Sequence, residues 1–133
     1  MKKQILITLL IALFAVTAGA QMQDPVHFSV SQKKVAEDIV EVTFSGKIDA
    51  GWHVYSTGLP AGGPISATIT TKTADGAKAE GKLGHRGNEI NKFDNMFQMN
   101  LRYFENSVTF VQKYKITGKT YHVKGYLEYG SCN

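Results

Sequence analysis

The sequence predicts an all-β domain, an immunoglobulin-like antiparallel β-sandwich that follows an N-terminal signal peptide. Apolar residues alternate with polar ones in many short segments, and turn-forming residues separate these segments. No long segment after residue 20 has apolar residues at helical spacing. Short strands at near-regular spacing without intervening helices are typical of two packed antiparallel sheets, with a small barrel as the competing architecture.

The N-terminal segment has the three parts of a signal peptide. Lys2 and Lys3 precede an apolar run over residues 5–16, and small residues ending at Ala20 follow it. The run is shorter than the roughly 20 residues that a membrane-spanning helix needs, which favours a cleaved leader over an anchor. We expect residues 1–20 to be removed near Ala20, so that residues 21–133 work outside the cytoplasm.

The mature part has the length of one domain with a single modest core. Removal of Lys2 and Lys3 lowers the formal net charge of the chain from +4 to +2, because the leader contains no acidic residue. The remaining lysines are scattered, as on an ordinary solvated surface. This charge balance does not favour a nucleic-acid partner.

The strands are predicted from period-two alternation, in chain order. The alternating positions are Val26, Phe28 and Val30, then Val40, Val42 and Phe44, then Ile65, Ala67 and Ile69, then Val108 and Phe110, and last Tyr121, Val123 and Leu127. Residues 84–100 lack clear alternation, so we expect a long loop of the kind that is often functional. Trp52 is not bracketed by two cysteines, so the likeness to immunoglobulin domains is architectural.

Most residues that could bind a metal or take part in catalysis have no spacing that indicates a functional site. The four histidines are far apart in the sequence, no glycine loop of the phosphate-binding type is present, and the acidic pair Glu37-Asp38 is typical of a solvated turn. The sequence therefore predicts neither a metal site nor an organic cofactor.

Cys132 is the exception. A single cysteine in an exported chain indicates a partner thiol elsewhere, a reactive free thiol, or a sequence that is truncated at its C-terminal end. A cysteine in the turn after a strand is accessible to partners, whereas many free cysteines are merely small buried apolar residues. Position alone leaves both interpretations open.

Two further segments fit a thiol site. His53 and Tyr55 share one side of a strand by the period-two rule, opposite to Trp52 and Val54, and an imidazole can favour the thiolate form of a nearby sulfur. The run Phe93–Met99 places apolar side chains in a polar segment. Such side chains either pack into the core or form a flexible cap over a reactive group.

The chain resembles a known family in several segments. They are Gly51-Trp52-His53-Val54-Tyr55-Ser56, Gly62-Gly63-Pro64-Ile65, Phe97 with residues 101–106, and residues 125–129 with Cys132. In these segments it resembles the periplasmic N-terminal domain of the thiol:disulfide interchange protein DsbD, in the Bacteroidetes-type form called a disulfide bond corrector domain. The resemblance covers nearly the whole mature chain and implies an immunoglobulin-like fold in the periplasm.

The resemblance also implies a redox function and its partners. Such a domain receives two electrons from a thioredoxin-like electron-donor domain and passes them to periplasmic disulfide isomerase or cytochrome c maturation clients. The donor is fed by a membrane-embedded electron carrier, to which the domain can be fused. The alternative is a non-catalytic exported sandwich that binds a partner protein or a cell-surface component.

The residues of the implied site follow from the same resemblance. Cys132 matches the first cysteine of a redox pair, and the second cysteine would lie beyond Asn133. The cap loop corresponds to Asp94, Asn95, Met96 and Phe97, and the residues that line the site correspond to His53, Tyr55 and Tyr129. Cys132 alone forms a mixed disulfide but cannot release it, because release needs a neighbouring thiol.

Overall fold

The computed structural model describes residues 14–18 and 24–133 of the chain. Every regular element in these residues is a β-strand, so the all-β prediction is confirmed. The strands are β1 (Phe14–Ala18), β2 (Val26–Ala36), β3 (Ile39–Ile48), β4 (His53–Tyr55), β5 (Thr68–Asp75), β6 (Ala77–Arg86), β7 (Ile90–Asp94), β8 (Met99–Phe104), β9 (Ser107–Ile116), β10 (His122–Tyr129) and β11 (Ser131–Cys132).

The predicted signal peptide falls mostly outside this description. Residues 1–13 and 19–20 lie outside the described residues, and Phe14–Ala18 forms β1. Cleavage near Ala20 therefore stays a prediction. Within the described part of the chain, no helix is long and apolar enough to cross a membrane.

Hydrogen bonding groups the strands into three sheets, with the strand orders β1-β10-β5, β11-β4-β8-β7 and β2-β3-β9-β6. Every pair is antiparallel except β1 with β10, which is parallel. The immunoglobulin-like arrangement of two sheets stays an expectation from the sequence. Strands that are neighbours in the chain pair through tight turns, as β2 pairs with β3 and β7 with β8.

All three sheets contribute side chains to one hydrophobic core. Alternation in β3 and β9 points Phe44 and Phe110 to the same interior, where both side chains are fully buried. Val54 and Phe104 reach this core from the sheet β11-β4-β8-β7, and Leu127 reaches it from the sheet β1-β10-β5. Removing an aromatic or branched side chain from water stabilises the fold by about 1.5–3 kcal/mol, so this cluster fixes the frame on which the loops sit.

The expected long loop at residues 84–100 is wrong. The segment instead contains the end of β6, the whole of β7 and the start of β8, and only the turn 95–98 separates the last two strands. Its strands were missed because β7 has no buried residue: Phe93 is 52% exposed, Asn91 and Lys92 are also exposed, and Ile90 and Asp94 are half-buried. β7 is held by its hydrogen bonds to β8 and not by burial of one face in the core. Its sequence therefore shows no alternation of apolar and polar residues.

Candidate functional site at Cys132

Pairing on both sides of β4 brings four chemically capable side chains to one face. Cys132 in β11 lies directly opposite His53, and Tyr103 in β8 lies directly opposite Tyr55. Directly opposite residues and residues two apart share a face of a sheet. The other face of β4 and β8 carries Val54 and the core, so we call the Cys132 side the outer face of this sheet.

The sulfur lies beside a small, mostly apolar cavity. Cys132 is a free, partly exposed thiol, and the cavity of about 270 Å³ next to it is also lined by Tyr55, Ile65, Met96 and Phe97. Its Sγ lies 3.5 Å from the backbone oxygen of Asn133, the next residue. A thiol in this position is reachable from solvent, and apolar groups surround it.

Tyr55 supplies a polar group next to the sulfur. Burial raises the pKa of the Tyr55 hydroxyl, and the charge of Cys132 and a hydrogen bond with it add to the rise, with smaller contributions from Asp94 and Tyr103. The hydroxyl therefore stays protonated at neutral pH and can donate a hydrogen bond to a thiolate sulfur. Hydrogen bonding to a charged form favours that form.

His53 is held against the same tyrosines. Its ring centroid lies 5.1 Å from that of Tyr55 and 4.7 Å from that of Tyr103, and its Nε2 lies 3.4 Å from the Tyr55 hydroxyl oxygen. Burial lowers the pKa of His53, and the carboxylates of Glu105 and Asp94 only partly oppose this. The lowered pKa favours the neutral imidazole at pH 7, so His53 does not place a cation beside Tyr55.

The turn between β7 and β8 covers one side of the sulfur cavity. Asp94 Oδ1 accepts hydrogen bonds from the backbone N–H of Met96 at 2.8 Å and of Phe97 at 3.0 Å, which closes the turn. Gln98 adopts a left-handed backbone conformation with φ of 56°. Side-chain bonds from one aspartate thus set where Met96 and Phe97 lie.

The structure divides the predicted cap residues between two neighbouring cavities. Met96 and Phe97 line the sulfur cavity, whereas Asp94 and Asn95 line a second cavity of about 280 Å³ together with His53. Tyr55 lines both cavities. The polar and apolar halves of the cap therefore line different cavities that have Tyr55 in common.

Exposed apolar side chains concentrate around this site. The described residues contain four large apolar side chains that are exposed, and three of them line the two cavities: Ile65 at 53%, Phe93 at 52% and Met96 at 86%. Exposed apolar groups gathered on one face are typical of contact with another molecule, whereas scattered ones are not.

Tyr129 does not lie with the others. It is 2% exposed, and its ring centroid lies 5.0 Å from that of Phe28 in the core. It lines neither of the two cavities. The strand parity explains this, because Tyr129 shares the inward direction of Leu127.

A polar cluster that the sequence did not reveal lies behind the site, on the inner face of the same sheet. Glu89 accepts a hydrogen bond from the buried Ser56 hydroxyl, and its Oε2 lies 2.9 Å from Arg102 Nη1 and 3.2 Å from His85 Nε2. Burial alone would raise the pKa of Glu89, but the Ser56 hydrogen bond and the electrostatic interactions with His85 and Arg102 outweigh it, so the pKa is lowered. Arg102 also donates to the backbone oxygen of Thr57.

Sequence reasoning missed other neighbours of the sulfur as contacts. The alternation that includes Ile65 predicts a strand there, but β5 begins only at Thr68, and Ile65 lines the sulfur cavity instead. In β8, Tyr103 precedes the buried Phe104 and lies on the opposite face, where the pairing of β4 with β8 places it beside Tyr55. Pairing between strands far apart in sequence is needed to find either contact.

The described residues contain no group of three or more His, Cys, Asp and Glu side chains that could hold a metal ion. The outer face carries the Cys132 thiol, the Tyr55 and Tyr103 hydroxyls and the His53 imidazole. Comparisons with protein-family models, with curated proteins and with solved structures found no match.

Proposed function

We propose that this chain is an exported thiol:disulfide interchange domain in which Cys132 is one member of a redox cysteine pair. One observation supports it above the others: a partly exposed sulfur shares a cavity with Tyr55 and with a turn that carries Met96 and Phe97. Reactive cysteines are partly exposed and have polar neighbours. Cys132 is partly exposed, and the Tyr55 hydroxyl is a hydrogen-bonding group beside it.

The proposed reaction transfers two electrons by two successive exchanges. A thiolate of a thioredoxin-like donor attacks one sulfur of the domain's disulfide, forms a mixed disulfide and releases the other sulfur as a thiolate. The donor's second thiol then attacks the mixed disulfide, which leaves the donor oxidised and the domain as a dithiol. The dithiol reduces a client disulfide by the same two steps.

The pair requires a second cysteine, which the family resemblance implies beyond Asn133. With Cys132 alone, its thiolate attacks a client disulfide, displaces one client sulfur as a thiolate and forms a mixed disulfide that no second thiol of the domain resolves. Tyr55 stabilises the thiolate that each step forms or consumes, because its protonated hydroxyl lies at the sulfur. The turn over residues 95–98 moves aside when a partner arrives, and Ile65 and Met96 then contact the partner.

The location and partners of the proposed domain come from the resemblance. The leader over residues 1–20 directs the chain to the periplasm, where a thioredoxin-like domain is the donor. Periplasmic disulfide isomerases or cytochrome c maturation proteins are the clients. A membrane-embedded electron carrier feeds the donor, and this domain can be fused to that carrier.

A trapping experiment tests the proposal with one cysteine. Cys132 is converted to a mixed disulfide with 5-thio-2-nitrobenzoate, and the labelled protein is mixed with a reduced thioredoxin whose resolving cysteine is replaced by serine. Attack on Cys132 Sγ releases the coloured thiolate and leaves a stable intermolecular disulfide. We expect this product to form about tenfold faster than with a labelled peptide of residues 128–133, because the folded site receives the partner.

The trapping experiment needs two control variants. The Cys132→Ser variant must give no product, since the exchange needs the sulfur. Tyr126→Phe alters a tyrosine that lines neither cavity, so it must leave the rate unchanged. Trapping no faster than with the peptide would contradict the proposal.

The exposed apolar side chains also favour a second candidate, a non-catalytic module that binds a partner protein through Ile65, Phe93 and Met96. Here the sulfur is incidental, and Cys132→Ser retains full binding to the partner. Reading the gene past Asn133 separates the two at little cost. A cysteine within about half a dozen codons supports exchange, and a stop codon supports the binding module.

A further inference from the structure

One edge of β10 is paired by residues that belong to the predicted leader. β10 lies between β5 on one side and β1 on the other. β1 runs parallel to β10, with Phe14 opposite Gly125 and Ala18 opposite Tyr129. All five residues of β1 fall within the leader, residues 1–20, whose removal stays a prediction. Removal of the leader takes away the strand that pairs with this edge.

A strand edge that loses its partner becomes a binding site for another strand. Without β1, the backbone N–H and C=O groups of Gly125–Tyr129 that bond to it have no strand partner. Open edges pair readily with extended segments of other chains, and several recognition domains bind peptides by adding them as a strand. On its other side, β10 stays paired with β5 over His122–Glu128, so the edge is held in place as a template.

The new N-terminal end of the processed chain is too short to replace β1. Burial raises the pKa of the Tyr129 hydroxyl, and the carboxylate of Asp24 adds to this rise, so Asp24 lies near Tyr129. Only residues 21–23 separate Asp24 from the predicted cut. Three extended residues span about 10 Å, whereas the five paired positions span about 16 Å. The chain's own end therefore leaves most of the edge open.

The alternation of β10 determines which side chains an added strand carries. Gly125, Leu127 and Tyr129 are buried on the core side of the sheet, whereas Lys124 and Glu128 are exposed. Directly opposite residues of paired strands share a face, so a ligand residue opposite Leu127 lies on the core side and one opposite Glu128 lies on the solvent side. Burial of an unpaired charge is costly, so the core-side positions of the ligand are apolar.

We propose that, once the leader is removed, the edge of β10 binds an extended, uncharged segment of a partner polypeptide as a parallel strand over Gly125–Tyr129. The direction and register are those of β1 in the full chain, and the sequence of β1, Phe-Ala-Val-Thr-Ala, carries no charge. This binding needs neither Cys132 nor thiol exchange, so it goes beyond the proposed function. It rests only on the predicted removal of the leader.

The test uses the chain after export, with mass spectrometry to show that residues 1–20 have been removed. The probe is a fluorescent peptide of residues 13–20 with two lysines added at its C-terminal end for solubility. We expect saturable binding by fluorescence anisotropy. In the complex, backbone amides within Gly125–Tyr129 should exchange their hydrogens more slowly than in the free processed chain, because the added strand pairs with this edge.

Two matched pairs of modified peptides test the pairing itself. An N-methyl group is placed on the backbone nitrogen of Ala15 in one peptide and of Val16 in another. Successive N–H groups of a strand point in opposite directions, so only one of these peptides should bind about tenfold more weakly, as expected for one lost hydrogen bond. In the second pair, Val16→Lys should weaken binding by about tenfold or more, because this position lies opposite Leu127, whereas Thr17→Lys, opposite Glu128, should bind within about twofold of the parent peptide.

The remaining controls separate this site from the thiol site and from self-association. Cys132→Ser in the processed chain should leave peptide binding unchanged, so the outcome does not depend on the proposed exchange. A leader that is retained after export, absence of saturable binding, or equal effects within either pair of peptides would overturn the proposal. Gel filtration of the processed chain reports the oligomeric state, and a dimer that excludes the peptide would also overturn it, because a second copy would then occupy the edge.

Discussion

The two faces of the sheet β11-β4-β8-β7 differ in how their polar groups are held. On the inner face, Ser56, Arg102 and His85 all contact one carboxylate oxygen, Glu89 Oε2. On the outer face, the sulfur of Cys132 has a tyrosine hydroxyl beside it and apolar side chains around it. Consecutive residues of one segment, Tyr55 and Ser56, belong to opposite faces.

The difference shows how a short strand can serve two purposes. Charge-assisted hydrogen bonds on the inner face tie the end of β4 to β8 and to the residue preceding β7, which keeps the frame rigid. The outer face gathers exposed side chains such as Met96 on a turn that Asp94 closes. A rigid inner face therefore allows the outer face to expose apolar groups and a thiol without loss of the fold.

The largest effect is expected from removing the charge on the inner face. Glu89→Gln leaves the Arg102 guanidinium without its anion, and breaking a partly buried ion pair destabilises a fold by about 2–3 kcal/mol. Urea denaturation measures the change. Glu37→Gln, at an exposed turn position, is the matched control and should change stability by less than about 0.5 kcal/mol.

A pH titration of stability sharpens the same comparison. The folded-state pKa of Glu89 is lowered from its ordinary value of 4.5, so its contribution is fully present above pH 4.5 and is lost as the pH falls through the folded-state pKa. The stability gap between the native chain and Glu89→Gln should therefore be constant near neutral pH and shrink in acid. A gap that persists unchanged in acid would show that ionisation of Glu89 is not its source.

A smaller effect is expected on the outer face, and on reactivity rather than stability. Tyr55→Phe removes the hydroxyl at the sulfur but keeps the ring, so alkylation of Cys132 by iodoacetamide at pH 7 should slow by about tenfold, the size of one charge-assisted hydrogen bond. Glu89→Gln should leave this rate within about twofold while the protein is folded, because it acts on the other face. Equal slowing by both variants would mean that the two faces are not independent.

The predictable part of this fold is the part that faces the core. Val40, Val42 and Phe44 alternate because β3 buries one side, whereas β7 has both sides near solvent and left no pattern. The resemblance placed Tyr129 at the site, but its parity with Leu127 turns it into the core.

The inner polar cluster could not be predicted from the sequence for a different reason. Ser56, Glu89 and Arg102 are far apart along the chain, and no spacing rule relates a serine to residues on two other segments. Only the pairing of β4 with β8, and of β8 with β7, brings them together. His53 and Tyr55 were easier to find, because two residues of one strand are related by parity alone.

The central claim is that the fold presents the sulfur of Cys132 to partners in a reactive form. The most direct measurement is the rate of alkylation of Cys132 by iodoacetamide at pH 7 in the folded chain and in the same chain unfolded by urea. The account predicts a faster reaction in the folded chain, since Tyr55 lies at a partly exposed sulfur. A folded chain that reacts no faster than the unfolded one, or that protects the thiol, would contradict the account.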